Sequence, residues 1–355
     1  MWIFDFNKLQ FLLRPSAHGK HFGHPSRYAW ILLLILILAV FTGKGLLKSP
    51  ILSSSRQPRL EDHYFMTTDN AKLAVRRWFP DKQPIKAVII ALHGFNDYSN
   101  FFNGPGNYLK EFGIASYAYD QSGFGSSPGR GYWTEIDVST RDLTEISQLI
   151  RKRHPCIPLY LLGESMGAAE IIVTLADDQP PPVDGVILSS PAVWAWEYIP
   201  WYQRIGLWLA AHTVPWLELT GTGLHLIPSD NIKMLRELSH DPLVLKKSRI
   251  STIYGLADLM NQAFKKAKHL EKPALVLYGD RDQIVPKKSV FRMLKEVPAE
   301  REWHIALYEN GYHLLLRDME ASTYWRDIAA WIDNPGSPLP SGADQRAAVF
   351  FNRSH

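Results

Sequence analysis

The chain has 355 residues, of which 46% are hydrophobic, 12% aromatic and 21% charged, a composition that is typical of globular proteins and excludes a disordered chain. Its 39 Lys and Arg residues against 35 Asp and Glu residues leave a net charge of only +4, which does not indicate a nucleic-acid partner. Cys156 is the only cysteine, so a disulfide framework and a cysteine-based metal site are excluded.

An apolar segment near the N-terminus, residues 28–47, reads YAWILLLILILAVFTGKGLL. Its uninterrupted apolar core, residues 29–41, is shorter than the roughly 20 residues that a transmembrane helix needs. The side chain of Lys44 can extend toward the lipid headgroups, however, which lengthens the usable span to about Leu47. We predict a transmembrane anchor here. A cleaved signal peptide, with an apolar region of about 7–15 residues, is disfavoured by the long preceding segment and the lack of a clear cleavage site. A buried core helix is disfavoured because basic residues flank both ends.

The flanking charges predict an orientation for this anchor. Four basic residues precede it, and Lys44 and Lys48 follow it closely, which favours a cytoplasmic N-terminus and a main domain outside the cytoplasm, as for a single-pass protein of a bacterial inner membrane. Residues 1–27 begin with MWIFDFNKLQFLL, which is apolar enough to lie on a membrane surface. A metal site at His18, His21 and His24 is one interpretation, but the surrounding Gly and Pro favour a solvated loop.

From about residue 60 the sequence alternates predicted strands and helices. A hairpin with its turn at Asp69–Asn70 comes first, and a helix is predicted near 100–112. The other predicted strands are KAVIIALHG, IASYAYD, PLYLLGES, VDGVILSSPAV, PALVLYGDRD and EWHIALYENGYH, and the other helices are IDVSTRDLTEISQLIRKRH, MGAAEIIVTLA and ASTYWRDIAAWI. Continuous apolar strands that alternate with amphipathic helices predict a mostly parallel sheet with helices on both faces. We assign 60–193 and 273–335 to this α/β core.

Residues 194–272 interrupt the alternation. The segment shows helical periodicity and no strand signal, and its first part is dense in Trp and Tyr. We predict a helical cap over the carboxyl edge of the sheet, where ligands bind in open α/β folds. The C-terminal residues 336–355 are rich in Pro, Gly and Ser in their first half, and we predict a flexible tail.

The five residues GESMG, 163–167, match the pattern G-x-S-x-G between a predicted strand and a predicted helix. In this motif the tight turn excludes side chains at the glycines and raises the serine hydroxyl at the edge of the sheet, where it acts as a nucleophile. Ser165 is therefore the candidate nucleophile. The alternative is an ordinary strand-to-helix turn in which Ser165 caps the helix.

A serine nucleophile needs a base and an acid that orients the base. His313, in a loop after the last strand, is the candidate base, and Asp282, just past the preceding strand, is the candidate acid. Asp280 is the rival acid, but it is better placed to structure the turn. The order Ser165, Asp282, His313 is the order expected of an α/β-hydrolase.

An oxyanion hole completes the predicted site. One donor is expected to be the backbone N–H of Met166, and the second the backbone N–H of Phe95, in the loop after the strand that ends at His93. His93 is a second candidate base, but we predict that it bonds within its own loop and is structural.

The motifs ALHGFNDYS, YDQSGFGSSPG, GESMGA, SHDPL, YGDRDQIVP and ENGYHLLLRD resemble those of the monoacylglycerol lipase and lysophospholipase group of α/β-hydrolases, which includes serine aminopeptidase S33-like proteins. The resemblance covers roughly 64–332. It implies a serine esterase that acts on a single-acyl lipid under a helical cap. It also implies that Ser165, Asp282 and His313 form the triad, with Phe95 and Met166 as oxyanion donors.

The sequence indicates neither a metal site nor a nucleotide cofactor, since it contains no G-x-G-x-x-G and no P-loop. The leading hypothesis is therefore a membrane-anchored serine ester hydrolase with an acyl-lipid substrate and no cofactor. A small-ester esterase and an aminopeptidase on the same fold are the alternatives, and the second would need acidic cap residues beyond Glu197 and Glu218. A non-catalytic binding protein is disfavoured by the intact order of the triad.

Overall fold

The computed structural model describes residues 57–221 and 226–353. The segment 1–27 and the predicted anchor at 28–47 lie outside the described residues, and both remain predictions. Within the described ranges, no helix combines the length and the apolar character that crossing a membrane requires.

In the described part of the chain, a nine-stranded sheet forms the centre of the fold, with the strand order β1-β2-β3-β5-β4-β6-β7-β10-β11. The six strands from β5 to β11 in this order run parallel, whereas β1, β2 and β3 pair antiparallel at one end. The mostly parallel sheet is thus as predicted. The strands are β1 (Arg59–Leu60), β2 (Tyr64–Met66), β3 (Lys72–Trp78), β4 (Ala87–Leu92), β5 (Ile114–Tyr119), β6 (Leu159–Glu164), β7 (Gly185–Ser189), β8 (Glu218–Leu219), β9 (Ser248–Arg249), β10 (Ala274–Gly279) and β11 (Trp303–Tyr308).

Helices cover both faces of this sheet. Alternate residues of β4 point to two different apolar clusters, because successive side chains of a strand lie on opposite faces. Helices α1 and α8 contribute to one cluster, and α2, α3, α6 and α7 to the other. The helices are α1 (Asn103–Leu109), α2 (Ile136–Arg153), α3 (Met166–Leu175), α4 (Trp201–Thr213), α5 (Ile232–His240), α6 (Ile250–Lys266), α7 (Lys287–Glu296), α8 (Ala321–Asp333) and α9 (Ala343–Arg353).

The predicted hairpin is present between β2 and β3, where Met66 pairs with Lys72. The backbone N–H of Asn70 donates to the Thr67 carbonyl at 2.9 Å. Asn70 has a φ of +61°, a left-handed conformation that asparagine tolerates better than most residues. The turn therefore lies at the predicted position.

The cap region has two different parts. Helix α4 exposes Trp201 and Trp208, whereas Leu259 and Phe264 of α6 belong to the same buried cluster as α3. The last helix of the region therefore packs on the α/β core. The expectation of no strand was wrong: β8 and β9 pair antiparallel over two residues each, which is too short to leave an alternating pattern.

The C-terminal segment differs from the flexible tail that we expected. Residues 343–353 form helix α9, in which Ala343 and Ala347 are buried. The ring of Phe350 stacks on Phe291 of α7, with a centroid distance of 4.9 Å. The prediction is wrong for this helix, because the apolar residues recur at the spacing of one helical face and the Pro- and Gly-rich stretch is only the turn before it.

Candidate active site

Ser165 lies in a strained turn between β6 and α3. Its φ is +55°, a left-handed conformation that is rare for residues other than glycine. A Cβ on Gly163 would come within 2.6 Å of Ala168 Cα, and one on Gly167 within 2.7 Å of the Leu92 carbonyl carbon. Both positions therefore require glycine. The Ser165 side chain does not cap α3, which argues against the alternative of an ordinary capped turn.

The structure brings Ser165, His313 and Asp282 into one chain of hydrogen bonds. Ser165 Oγ is 2.9 Å from His313 Nε2, and His313 Nδ1 is 2.8 Å from Asp282 Oδ2. All three side chains are buried or nearly so. Because Asp282 accepts the Nδ1 proton, the Nε2 lone pair faces Ser165 Oγ and can accept the hydroxyl proton.

The two candidate acids have different surroundings. Asp282 Oδ1 accepts hydrogen bonds from the backbone N–H groups of Ile284 and Val285, at 2.7 and 3.0 Å, while its Oδ2 accepts from His313. Asp280 instead forms an ion pair with Lys287, and its side chain is 38% exposed. The geometry therefore favours Asp282 as the partner of His313.

The charge of Asp282 changes the titration of His313. Burial by itself would lower the pKa of His313, but the charge and the hydrogen bond of Asp282, together with the charges of Glu164 and Asp318, outweigh it, so this pKa is raised above its ordinary value. The same carboxylate would stabilise the imidazolium that forms when His313 takes a proton.

The two predicted oxyanion donors lie on backbone segments that flank Ser165. Met166 is the first residue of α3, and the first N–H groups of a helix have no partner within it. Phe95 follows Gly94, where an added Cβ would be 3.5 Å from the Cβ of Ser165. The loop after β4 therefore passes next to the turn at residues 163–167, which carries the candidate nucleophile and which we call the nucleophile turn. An oxyanion hole requires these two segments to be close together.

His93 bonds within its own loop through one ring nitrogen, as predicted, but its other ring nitrogen bonds to the loop after β5. Its Nδ1 lies 2.8 Å from the Gly94 carbonyl oxygen, and its Nε2 accepts from the backbone N–H of Gln121 at 3.0 Å. Burial lowers the pKa of His93, which keeps the ring neutral. Since both ring nitrogens are engaged, His93 is not free to act as a base.

Three charged residues near the site were missed by the sequence analysis. Arg317 Nη2 lies 2.6 Å from Asp97 Oδ2 and 2.9 Å from Glu164 Oε1. Glu164 offered a signal, since a carboxylate at the end of a wholly buried strand needs a cationic partner. Its partner could not be identified, because Arg317 is 153 residues away along the chain.

In the described part of the chain, no group of three or more His, Cys, Asp or Glu residues is arranged to hold a metal ion. The histidines at 18, 21 and 24 lie outside it, so their assignment to a solvated loop remains a prediction.

The chain is similar in sequence and in fold to known proteins. The chain is 27% identical to the monoglyceride lipase of Homo sapiens over 281 residues, 76% of this chain and 89% of that protein. It is 24% identical to the monoacylglycerol lipase of Mycolicibacterium smegmatis, over 76% of this chain and 96% of the relative. The crystal structure of Paleococcus ferrophilus monoacylglycerol lipase matches with a TM-score of 0.61 and 25% identity, over 73% of this chain and 98% of that one.

A family model supports the same grouping. The model described as serine aminopeptidase, S33, matches residues 83–320, a range that contains the nucleophile turn, the cap region and the His313 loop. The chain therefore belongs to the serine aminopeptidase S33 family of α/β-hydrolases.

Proposed function

We propose that this protein is a serine carboxylic-ester hydrolase that cleaves single-acyl lipids, either monoacylglycerols or lysophospholipids, through an acyl-enzyme. The observation that carries the proposal is the chain of hydrogen bonds from Ser165 through His313 to Asp282, which begins at the strained turn of Ser165. The substrate class is suggested by the similarity to monoglyceride lipases.

The first half of the reaction forms the acyl-enzyme. Ser165 Oγ attacks the ester carbonyl carbon while His313 Nε2 takes the hydroxyl proton, and the carbonyl oxygen becomes an oxyanion. The backbone N–H groups of Phe95 and Met166 donate to that oxyanion. When the tetrahedral intermediate collapses, the bond to the alcohol breaks and His313 gives its proton to the leaving alkoxide oxygen.

The second half releases the acyl chain. His313 takes a proton from a water molecule, and the water oxygen attacks the acyl carbonyl carbon. The bond to Ser165 Oγ then breaks, the proton returns from His313 to Ser165, and the carboxylic acid leaves. Asp282 stabilises the imidazolium in both halves by its charge and its hydrogen bond.

The cap supports a lipid substrate. Three tryptophans of the cap, Trp201, Trp208 and Trp216, are 66%, 45% and 63% exposed, although soluble monomers rarely expose large contiguous apolar patches. A cavity of about 280 Å³ opens on this side and is lined by Trp196, Trp201, Arg204, Ile205, Trp208 and Tyr254. Trp and Tyr are favourable where lipid meets water, so we propose that this side of the cap faces lipid.

A preference for longer acyl chains is the expected kinetic result. Each buried methylene contributes about 0.8 kcal/mol of transfer free energy, so kcat/KM should rise from acetyl to medium and long acyl esters of glycerol or lysophospholipids. The measurement is a chain-length series below the critical micelle concentration of each ester, with Ser165→Ala as the background control.

Other outcomes of this series would point to the alternatives. A maximum at acetyl or propionyl would indicate a small-ester esterase. Activity only on aminoacyl amides would indicate an aminopeptidase, as the family description suggests. An amine site needs free carboxylates, but the cap residue Glu218 already pairs with Arg249 at 3.5 Å and Lys247 at 3.9 Å.

We further propose that residues 28–47 anchor the protein in a membrane with the hydrolase domain outside the cytoplasm. The full-length chain is expected to remain in the membrane fraction after washes with high salt and with alkaline carbonate, whereas a variant that lacks 1–56 should be released. Release of the full-length chain by salt would indicate peripheral binding. A mature N-terminus just after Gly43 or Gly45 would indicate a cleaved signal peptide.

A further inference from the structure

A buried group of one arginine and two carboxylates lies beside the candidate triad. Arg317 donates to Asp97 and to Glu164 at 2.6 and 2.9 Å, and the side chains of Arg317, Asp97 and Glu164 are 11%, 10% and 0% exposed. Burial would lower the pKa of Arg317, but the two carboxylates outweigh it and raise this pKa, so the guanidinium stays charged. We call these three residues the Arg317 cluster.

The Arg317 cluster joins the three loops that carry the proposed reaction. Asp97 lies two residues after Phe95 in the loop after β4, and Glu164 directly precedes Ser165 at the end of β6. Arg317 lies four residues after His313 in the loop after β11. We call the loop after β4 the oxyanion loop and the loop after β11 the histidine loop. A single guanidinium on the histidine loop thus contacts both the oxyanion loop and the nucleophile turn. Both contacts are made by one terminal nitrogen, Nη2, whose two N–H groups lie at fixed angles in the plane of the guanidinium.

The charges of the Arg317 cluster do not cancel when both carboxylates are ionised. Two carboxylates and one guanidinium leave one surplus negative charge. His313 responds first to burial and to Asp282, and then to Glu164 and to Asp318, both of which raise its pKa. Burial raises the pKa of Glu164 itself, and the charge of Arg317 opposes that rise. When Glu164 is ionised, its buried negative charge acts on His313 from the side of Ser165, independently of Asp282.

We propose that Arg317 and Glu164 are positioning residues for ester hydrolysis. Arg317 holds the oxyanion loop and the histidine loop at fixed positions relative to Ser165, and Glu164 stabilises the His313 imidazolium. This inference rests on the proposed function, and it goes beyond the triad and the oxyanion donors. The expected effects are large, because a displacement of about 1 Å in a catalytic arrangement can cost about 100-fold in rate.

Glu164→Gln tests the electrostatic part. Glutamine has nearly the same shape and still accepts a hydrogen bond from Arg317, but it removes the negative charge. Without that charge the pKa of His313 falls, so the acid limb of the kcat/KM–pH profile should move to lower pH by roughly 0.5–1 unit. We expect kcat to fall about 3- to 10-fold, with KM nearly unchanged, because losing this part of the pKa shift removes the same amount of imidazolium stabilisation.

Arg317→Lys tests the geometric part. Lysine keeps the positive charge, but its compact ammonium sits one bond closer to the backbone than Nη2, the arginine nitrogen that contacts both Asp97 and Glu164. We expect kcat to fall about 10- to 100-fold, with a smaller change in the acid limb than for Glu164→Gln. Active sites in each preparation are counted by titration with a fluorophosphonate, so that kcat refers to folded enzyme.

A solvent-exposed ion pair of the same two residue types, at the opposite edge of the sheet, provides the control. Arg301 and Glu271 lie 3.3 Å apart and precede β11 and β10, respectively, at the amino ends of these parallel strands. Arg301→Lys and Glu271→Gln should therefore leave kcat and the pH profile unchanged. If Glu164→Gln lowers only the thermal midpoint, with kcat per active site and the acid limb unchanged, the Arg317 cluster is merely structural and the inference is overturned.

Direct titration of His313 separates this inference from the proposed function. The His313 imidazole resonances are followed by NMR against pH in the full-length protein, with and without Glu164→Gln, and the titration midpoint is expected to fall in the variant. An unchanged midpoint overturns the electrostatic part even if ester hydrolysis is normal. A lowered midpoint supports the electrostatic part. If the same protein neither cleaves esters nor reacts with fluorophosphonate, the proposed function fails although the electrostatic part holds. If Arg317→Lys does not fold, Glu164→Gln alone decides.

Discussion

Replacing Ser165 with alanine is expected to lower ester turnover on the order of a million-fold, as in other serine hydrolases that lose their nucleophile. In the proposed mechanism Ser165 Oγ forms the covalent bond to the acyl group, and no other hydroxyl in the described structure is hydrogen-bonded to His313 Nε2. The fold should persist, because the side chain is small and the lost hydrogen bond contributes on the order of 1 kcal/mol. Alanine also adopts the φ of +55° no less readily than serine.

The measurement is hydrolysis of a p-nitrophenyl ester, with labelling by a fluorophosphonate and a thermal unfolding curve. Ser190→Ala is a matched control, since Ser190 is also a buried serine with a positive φ, +44°, and its hydroxyl has no hydrogen-bond partner in the described structure. The control should keep native turnover. Near-native turnover by Ser165→Ala would remove Ser165 from the reaction.

Asp282→Asn is expected to reduce kcat by roughly four orders of magnitude, whereas Asp280→Asn should change it only a few-fold. The backbone N–H groups of Ile284 and Val285 donate to Asp282 Oδ1, so the amide oxygen of an asparagine would take that place. Its NH₂ group would then face His313 Nδ1 and donate to it. The ring proton would move to Nε2, which could no longer accept the proton of Ser165.

Both variants are compared on one short-chain ester across a range of pH. Loss of the Asp282 charge lowers the pKa of His313, since that charge and its hydrogen bond raise it, so any residual activity of Asp282→Asn should extend to lower pH. Asp280→Asn removes only the exposed ion pair with Lys287, and such pairs contribute little to stability. The reverse ranking of the two variants would make Asp280 the acid.

The nucleophile turn was predictable because its requirements are local. Gly163 and Gly167 leave no room for a side chain, and the apolar strand before Ser165 and the helix after it appear in the sequence as continuous patterns. The parallel sheet was predictable for a related reason, since strands that are buried on both faces must be apolar throughout.

The sequence by itself determined the family, the alternation of strands and helices, and the order of Ser165, Asp282 and His313. Only the tertiary structure shows that His313 is hydrogen-bonded to Asp282 and not to Asp280, because these two carboxylates are two residues apart and chemically identical. It also revealed the Arg317 cluster and the packing of α9 on α7. Each of these contacts joins segments that are distant along the chain. The hydrophobic periodicity of a sequence indicates which residues lie on the same face of a helix or strand, but it does not indicate which distant residues pack against that face.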